Sequence, residues 1–209
     1  MPHSVTTDQL LADHIVLDDQ AQALLFTEAR SANTFTDEPV TDDQLRAIYE
    51  LAKFPPTAAN TNPLRILFVS SPEARSRLVD LMSDGNKAKT ATAPVVAVLA
   101  ADLDFHEHMP QLFPPRPEMR DMFAADDDAR AERARFNATL QIGYFLLAVR
   151  AAGLAAGPMA GFDVAGVDAE FFPDGRFRSL LVVNIGKPGE NAWFDRLPRL
   201  DYEQVVRYI

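Results

Sequence analysis

Apolar residues recur at helical spacing three times within the first 55 positions: Leu10, Leu11 and Ile15, then Leu24 and Leu25, then Leu45, Ile48 and Leu51. A period of three to four lays such residues along one helix face, so three helical segments are predicted. Thr41 stands three residues before Gln44, the capping-box spacing in which two side chains satisfy backbone donors left open at a helix start. Pro55 and Pro56 stop that helix. Arg65–Ser70 reads as a short strand, and Ser71 with Pro72 supplies the cap and first position of a helix running to about Met82. A polar turn is expected at Ser83–Asn86. The run Pro94–Ala101 is apolar without alternation, the pattern of a strand buried on both faces. Asp102–Asp128, dense in prolines, acids and aromatics, reads as an insertion or lid. A long helix is predicted from about Asp128 to Ala152. Its stripe of Phe136, Leu140, Tyr144, Leu147 and Ala151 would serve an internal core or a partner equally, and Gly153 suits a left-handed cap. A short helix at Val164–Phe171, a turn at Asp174–Gly175, a strand at Ser179–Ile185 and a helix from near Asp201 complete the series. Helices bunched at the start and a long one in the middle favour an α+β layer structure over regular βαβ winding. No internal repeat or linker is visible, so a single domain over 1–209 is expected.

Composition narrows the chemistry. With 209 residues, 47% hydrophobic and 24% charged, the chain has an ordinary globular make-up, which argues against disorder, collagen-like repeats and disulfide scaffolds. Thirty acidic against 20 basic residues give a net charge of −10, which repels phosphate backbones and anionic lipid, so neither nucleic acid nor membrane is expected as a partner. The absence of cysteine removes disulfides, thiolate metal sites, iron–sulfur clusters and a cysteine nucleophile together. Redox chemistry would therefore need a bound cofactor. The first fifteen residues carry acids and no long apolar run, unlike a signal peptide. The longest apolar stretches, Val95–Ala101 and Gly153–Gly161, fall short of the roughly 20 residues of a spanning helix, and a cytoplasmic protein is expected.

The familiar loops are missing. Neither GxGxxG nor GxxxxGK[ST] occurs, and no GxSxG elbow exposes a serine. Gly153, Gly157 and Gly161 match no phosphate loop and read equally as a tight turn after the long helix. His106, Glu107 and His108 lack the spacing of a helical zinc motif, and no metal site is assigned. What remains is a scattered set of amides and cations: Arg30 with Ser31, Asn33, the loop Thr57–Asn62, Asn86 with Lys89, and Arg196 with Arg199. Taken singly, the asparagines would close turns and the cations would sit in solvent.

Taken in order they carry a resemblance. RSANTFTDEPV, PPTAANTNP, Asn86-x-x-Lys89 ahead of APVVAVLAA, GLAAGPMAGFD, and NIGKP followed by RLPRLDYEQVV resemble the blocks of the FMN-dependent nitroreductase family across residues 21–209. Within it the segments look closest to the RutE-like branch of malonic semialdehyde reductases. The resemblance implies a nitroreductase-like α+β fold, a central, mainly antiparallel sheet flanked by helices, in a homodimer with FMN at the interface. It implies hydride transfer from NADPH or NADH through flavin N5 to a small aldehyde, such as malonic semialdehyde giving 3-hydroxypropionate. A broad nitroaromatic or quinone reductase, or a non-catalytic flavin-binding protein, are the alternatives on the same fold.

Residue by residue, the resemblance places Arg30, Ser31 and Arg199 at the flavin phosphate, with Asn33 and Arg196 beside them, since planar cationic forks suit a dianion. It places the amides of Asn60, Asn62 and Asn86 at the pyrimidine edge, which both donates and accepts. Thr57 or the long helix meets the partner's side, Lys89 falls near N1 and O2, and Pro158, Met159, Ala160 and Gly161 lie against the ring, with a backbone N–H at Ala160 facing N5. Catalysis would thus rest on Lys89 and Ala160. The chain departs from the family at Asn33 for arginine, Asn62 for glutamine, Leu64 for an aromatic and Ala160 for an acid. Arg65, Lys87, Arg116 and Arg120 are the candidate partners of a substrate carboxylate, none of them singled out.

Overall fold

The computed structural model describes residues 6–209; Met1–Val5, the start of the stretch expected to lack a leader, lie outside the described residues. Helix α1 (Thr7–His14) is capped by Thr6 and buries none of its residues. Helix α2 (Asp19–Gln22) runs into a wider turn at Ala23–Thr27, closed by a bond from Glu28 N–H to Ala23 O of 3.0 Å. Helix α3 (Asp42–Ala52) begins at the predicted capping box, Thr41 and Gln44 each bonding the other's backbone. These are the three expected segments. Strand β1 (Leu64–Val69), helix α4 (Pro72–Asp80), helix α5 (Asp84–Thr92) and strand β2 (Val95–Asp102) follow, and then two short helices, α6 (Met109–Leu112) and α7 (Met119–Ala124). The 25-residue helix α8 (Asp127–Ala151) leads through Gly153, at φ 70°, into β3 (Ala155–Met159), α9 (Val164–Phe171), β4 (Phe177–Gly186) and α10 (Tyr202–Val205).

The four strands form one antiparallel sheet in the order β1-β2-β4-β3. Every residue of β2 is buried, as its unbroken apolar run requires of a central strand covered on both faces. Val95, Ala97 and Leu99 point to one side, against Ile48 of α3 and Phe145 and Val149 of α8. Val96, Val98 and Ala100 point to the other, against Leu78 of α4, Val167 of α9 and Met82. Helices thus cover both faces of an α+β fold. Among the described residues no helix is long and apolar enough to cross a membrane.

One expectation is corrected, and two readings left open are decided. Ser83–Asn86 is not a free turn: Ser83 is the residue before α5, and Asn86 lies inside that helix. Glycine and asparagine mimic a turn locally, but Thr90, wholly buried, anchors the helix. Gly153–Gly161 is more than a turn, because AAGPM forms strand β3 at the sheet edge, where Pro158 costs little of the ladder. The stripe on α8 faces outward: Phe136 is 65% exposed, Leu140 43% and Tyr144 44%. Ala134, Ala138, Ile142, Phe145 and Val149 pack inward instead. The second half of α8 carries apolar residues on both faces, so their periodicity alone cannot say which side wins.

The Asp102–Asp128 segment, read as an insertion or lid, is packed onto α8. Phe105, Met109, Met119 and Phe123 join Ala134 and Ala138 of α8 in a small core of their own.

Candidate functional site

The segment after the second helical stretch is stitched to β3 and to the chain that follows β4. Ala32 N–H donates to Ala156 O at 3.0 Å, Asn33 N–H to Ala192 O at 2.9 Å, and Thr36 N–H to Lys187 O at 3.0 Å. Gly157 makes this approach possible, since a Cβ there would stand 2.6 Å from Ala32 O. The stitching sets Arg30, Ser31 and Asn33 around a cavity of about 310 Å³ together with Arg150, Arg196 and Arg199. Four arginines meet one acid, Asp195, in a chain of net charge −10. Burial, and then the charge of Arg196, push the Arg150 guanidinium below its ordinary value. Cations held this close favour an anion among them, and serine, asparagine and guanidinium forks match a phosphate's oxygens. Arg196 bonds the carbonyls of Thr27 and of Ala29, whereas Arg199 bonds those of its neighbours Leu197 and Pro198. Arg150 escaped the sequence reading because a lone arginine in a last helical turn looks like an ordinary dipole partner.

A second group gathers where β3 ends. Asn86 Nδ2 donates to Gly161 O at 2.8 Å, and Ser83 N–H to the same oxygen at 3.0 Å. A Cβ on Gly161 would fall 2.8 Å from that amide nitrogen. Thr90 Oγ1 donates to Asn86 O at 2.9 Å. Lys89, half-buried on the same helix, Met159 and the exposed Ala160 complete the group, with Pro158 paired to Val183 in the ladder.

The third group is the loop Thr57–Asn62. Ala59, Asn60 and Asn62 all have positive φ, at 52°, 55° and 41°. Asparagine tolerates that conformation and alanine does so at a cost, and such strain concentrates at functional sites. Two buried amides on α8 hold the loop from below: Asn137 Oδ1 accepts from Ala58 N–H at 2.7 Å, and Gln141 Oε1 from Leu64 N–H at 2.9 Å. Asn62 Nδ2 donates to Asn60 Oδ1 at 2.7 Å, and Asn60 Nδ2 to Leu112 O at 2.8 Å. Both asparagines therefore close the turn, as their bland reading has it, while lining a cavity of about 440 Å³. Asn137 and Gln141 were missed, although amides four apart among inward-facing apolar residues were the available signal.

Within one chain these groups do not all converge. Arg150 and Gln141 line different cavities and stand nine residues apart on α8, about 14 Å along a helix axis. Arg30, Ser31, Asn33, Arg196 and Arg199 share one cavity; Asn60 and Asn62 share another.

Comparison with known proteins agrees with this architecture. The nitroreductase family model matches residues 27–187. A Streptomyces griseus protein named "Putative NADH dehydrogenase/NAD(P)H nitroreductase" is 57% identical over 92% of this chain and 97% of its own length. A Streptomyces coelicolor protein of the same description is 59% identical over the same shares. Among solved structures, a nitroreductase family protein of Streptococcus pneumoniae superposes with a TM-score of 0.76 at 22% identity, covering 88% of this chain and 98% of that one. A chain of Exiguobacterium sibiricum solved in complex with FMN superposes at 0.78 and 18% identity, over 87% and 93%. These two similarities bear on the fold. With the family model spanning most of its length and relatives above half identity along nearly all of it, the chain belongs to the nitroreductase family.

Proposed function

We propose that this protein is an FMN-dependent NAD(P)H oxidoreductase that reduces a small carbonyl compound, malonic semialdehyde being the acceptor of choice. The observation that carries the reading is the cavity of four arginines, Arg30, Arg150, Arg196 and Arg199, with Ser31 and Asn33, in an otherwise acidic chain. That donor set fits the phosphate of FMN, and the FMN-bound fold neighbour supports the choice of flavin. FMN would supply the two-electron chemistry, so that aldehyde, NAD(P)H and a proton give alcohol and NAD(P)+. Lys89 would hold a fixed positive charge beside the reduced pyrimidine, and the backbone at Ala160 would present its N–H to the reacting edge. Asn86, tied to Gly161, would keep helix α5 and that backbone in register.

A homodimer would bring the Thr57–Asn62 loop of one subunit toward the other's arginines. The outward apolar face of α8 supports this, because Phe136, Leu140 and Tyr144 form a stripe that soluble monomers seldom leave open. The word nitroreductase in the names of the Streptomyces relatives favours a second reading, a broad nitroaromatic reductase. The test is to add FMN, desalt, record the visible spectrum and titrate anaerobically with NADPH. Retained bands that bleach support the oxidoreductase; an apoprotein spectrum refutes it. Turnover of malonic semialdehyde against a nitroaromatic then separates the two readings.

A further inference from the structure

We propose that the 440 Å³ cavity beside the 57–62 loop is the acceptor subsite and that Arg65 selects acceptors bearing a carboxylate; this rests on the reductase function proposed above. The cavity has the volume of a small-molecule site. Its wall carries Lys53, Arg65, His108, Tyr49 and the amides of Asn60 and Asn62, and no aspartate or glutamate lines it, although the chain holds 30 acids against 20 bases. Such a wall selects for anions.

Arg65 is the cation there that is fixed in place. Its Nη1 donates to the carbonyls of Asn62 at 3.0 Å and Leu64 at 2.9 Å, and its Nη2 donates to Asp102 Oδ2 at 2.6 Å. Asp102 is wholly buried and is shared between two guanidiniums, so it does not depend on Arg65 alone. Arg176 grips both its oxygens, Nε to Oδ1 at 2.9 Å and Nη2 to Oδ2 at 3.1 Å, and those bonds hold the Arg176 guanidinium above its ordinary value. Glu107, which meets Arg176 at 2.9 Å, lies outside the cavity lining. Arg65, Arg176, Asp102 and Glu107 together balance in charge, so what Arg65 offers the cavity is an immobilised guanidinium with Nε unpartnered among the described residues. A guanidinium already immobilised loses little entropy when a carboxylate docks on it. Lys53, paired with Glu50 and more exposed, offers less.

The test has a binding arm and a turnover arm, both on the purified full chain. Malonate and its neutral counterpart malonamide are titrated calorimetrically into flavin-free and flavin-loaded protein. Wild type should bind malonate at least about tenfold more tightly than malonamide, and Arg65→Gln should erase the difference. Arg65→Lys, which keeps a charge without the fork, should restore part of it. Leu112→Asp leaves Asp102 untouched and puts a carboxylate on the cavity wall, so it too should weaken malonate about tenfold, which keeps the test decisive if Arg65→Gln misfolds. In turnover, Arg65→Gln should raise KM for malonic semialdehyde about tenfold more than KM for a neutral quinone. Equal affinity of wild type for malonate and malonamide, unchanged malonate binding in a folded Arg65→Gln, or, where that variant misfolds, unchanged malonate binding in Leu112→Asp overturns the proposal. Failure of wild type to retain FMN would instead strike the reductase reading, leaving the binding arm to judge Arg65.

Discussion

Replacing Gly157 with alanine should loosen the anion cavity from a distance, and the structure sets the scale. The new Cβ would stand 2.6 Å from Ala32 O, 3.4 Å from the Phe35 ring and 3.5 Å from Asn184 Cβ. An ordinary carbon–oxygen contact is about 3.3 Å, so the carbonyl must retreat by about 0.7 Å. It belongs to a backbone whose next link to β3, Ala32 N–H to Ala156 O, is already 3.0 Å long. Stretching that bond out of range costs about 1 kcal/mol, and overpacking costs about 1–3 kcal/mol, for a net loss of about 1–3 kcal/mol after relaxation. For a chain of this size the melting temperature should fall by roughly 3–10 °C. Arg30, Ser31 and Asn33 move with the segment, so FMN retention should weaken about tenfold. Gly85→Ala is the control, since it lies in the first turn of α5 with nothing within 4 Å of a new Cβ, and it should be neutral or slightly stabilising. Calorimetry and flavin fluorescence titration read both. Were Gly157→Ala to melt and bind like wild type, the close docking of residues 30–33 on β3 would not govern the cavity, and the reasoning would fail.

Arg199→Ala should weaken FMN binding roughly 10- to 100-fold with little change in melting temperature, because its bonds are to its own neighbours, while Arg196→Ala should also lower the melting temperature by freeing the tail from Thr27 and Ala29. Equal thermal effects would contradict this. Phe136→Glu should leave a folded monomer on gel filtration, since the side chain is 65% exposed; an unchanged dimer would mean that α8 is not the interface. Burial, with Arg130 nearby, holds His106 below its ordinary value of 6.5, so the unfolded chain takes up that proton first. The associated stability is complete above 6.5 and is lost as the pH falls through 6.5 toward the lower folded value. His106→Gln should flatten the drop in melting temperature between about pH 7.5 and about pH 5.5, and an identical slope would refute the assignment.

How much of this was legible in the chain follows from the range of each signal. The capping box at Thr41 and Gln44, the helix start at Ser71 and Pro72, the wholly buried β2 and the left-handed cap at Gly153 are written within a few residues, and each forms where the sequence indicates. The amides and cations that carry the family resemblance were also visible, because the resemblance depends on order and spacing. Which face of α8 turns inward was not legible: the choice fell to Ala134 and Ala138, which pack against Phe105 and Phe123, to Phe145 and Val149, which pack against the sheet, and to Asn137 and Gln141, whose amides satisfy Ala58 and Leu64. Strand β3 was hidden because Gly157 and Pro158 read locally as a turn, and only pairing with β4 makes them an edge. Arg150 shares a cavity with Arg30 and Arg199, and Arg65 shares Asp102 with Arg176, although these residues stand far apart along the chain. Local preference is set by a residue's immediate neighbours, whereas a site made of distant residues exists only once burial of the sheet has fixed where each backbone runs.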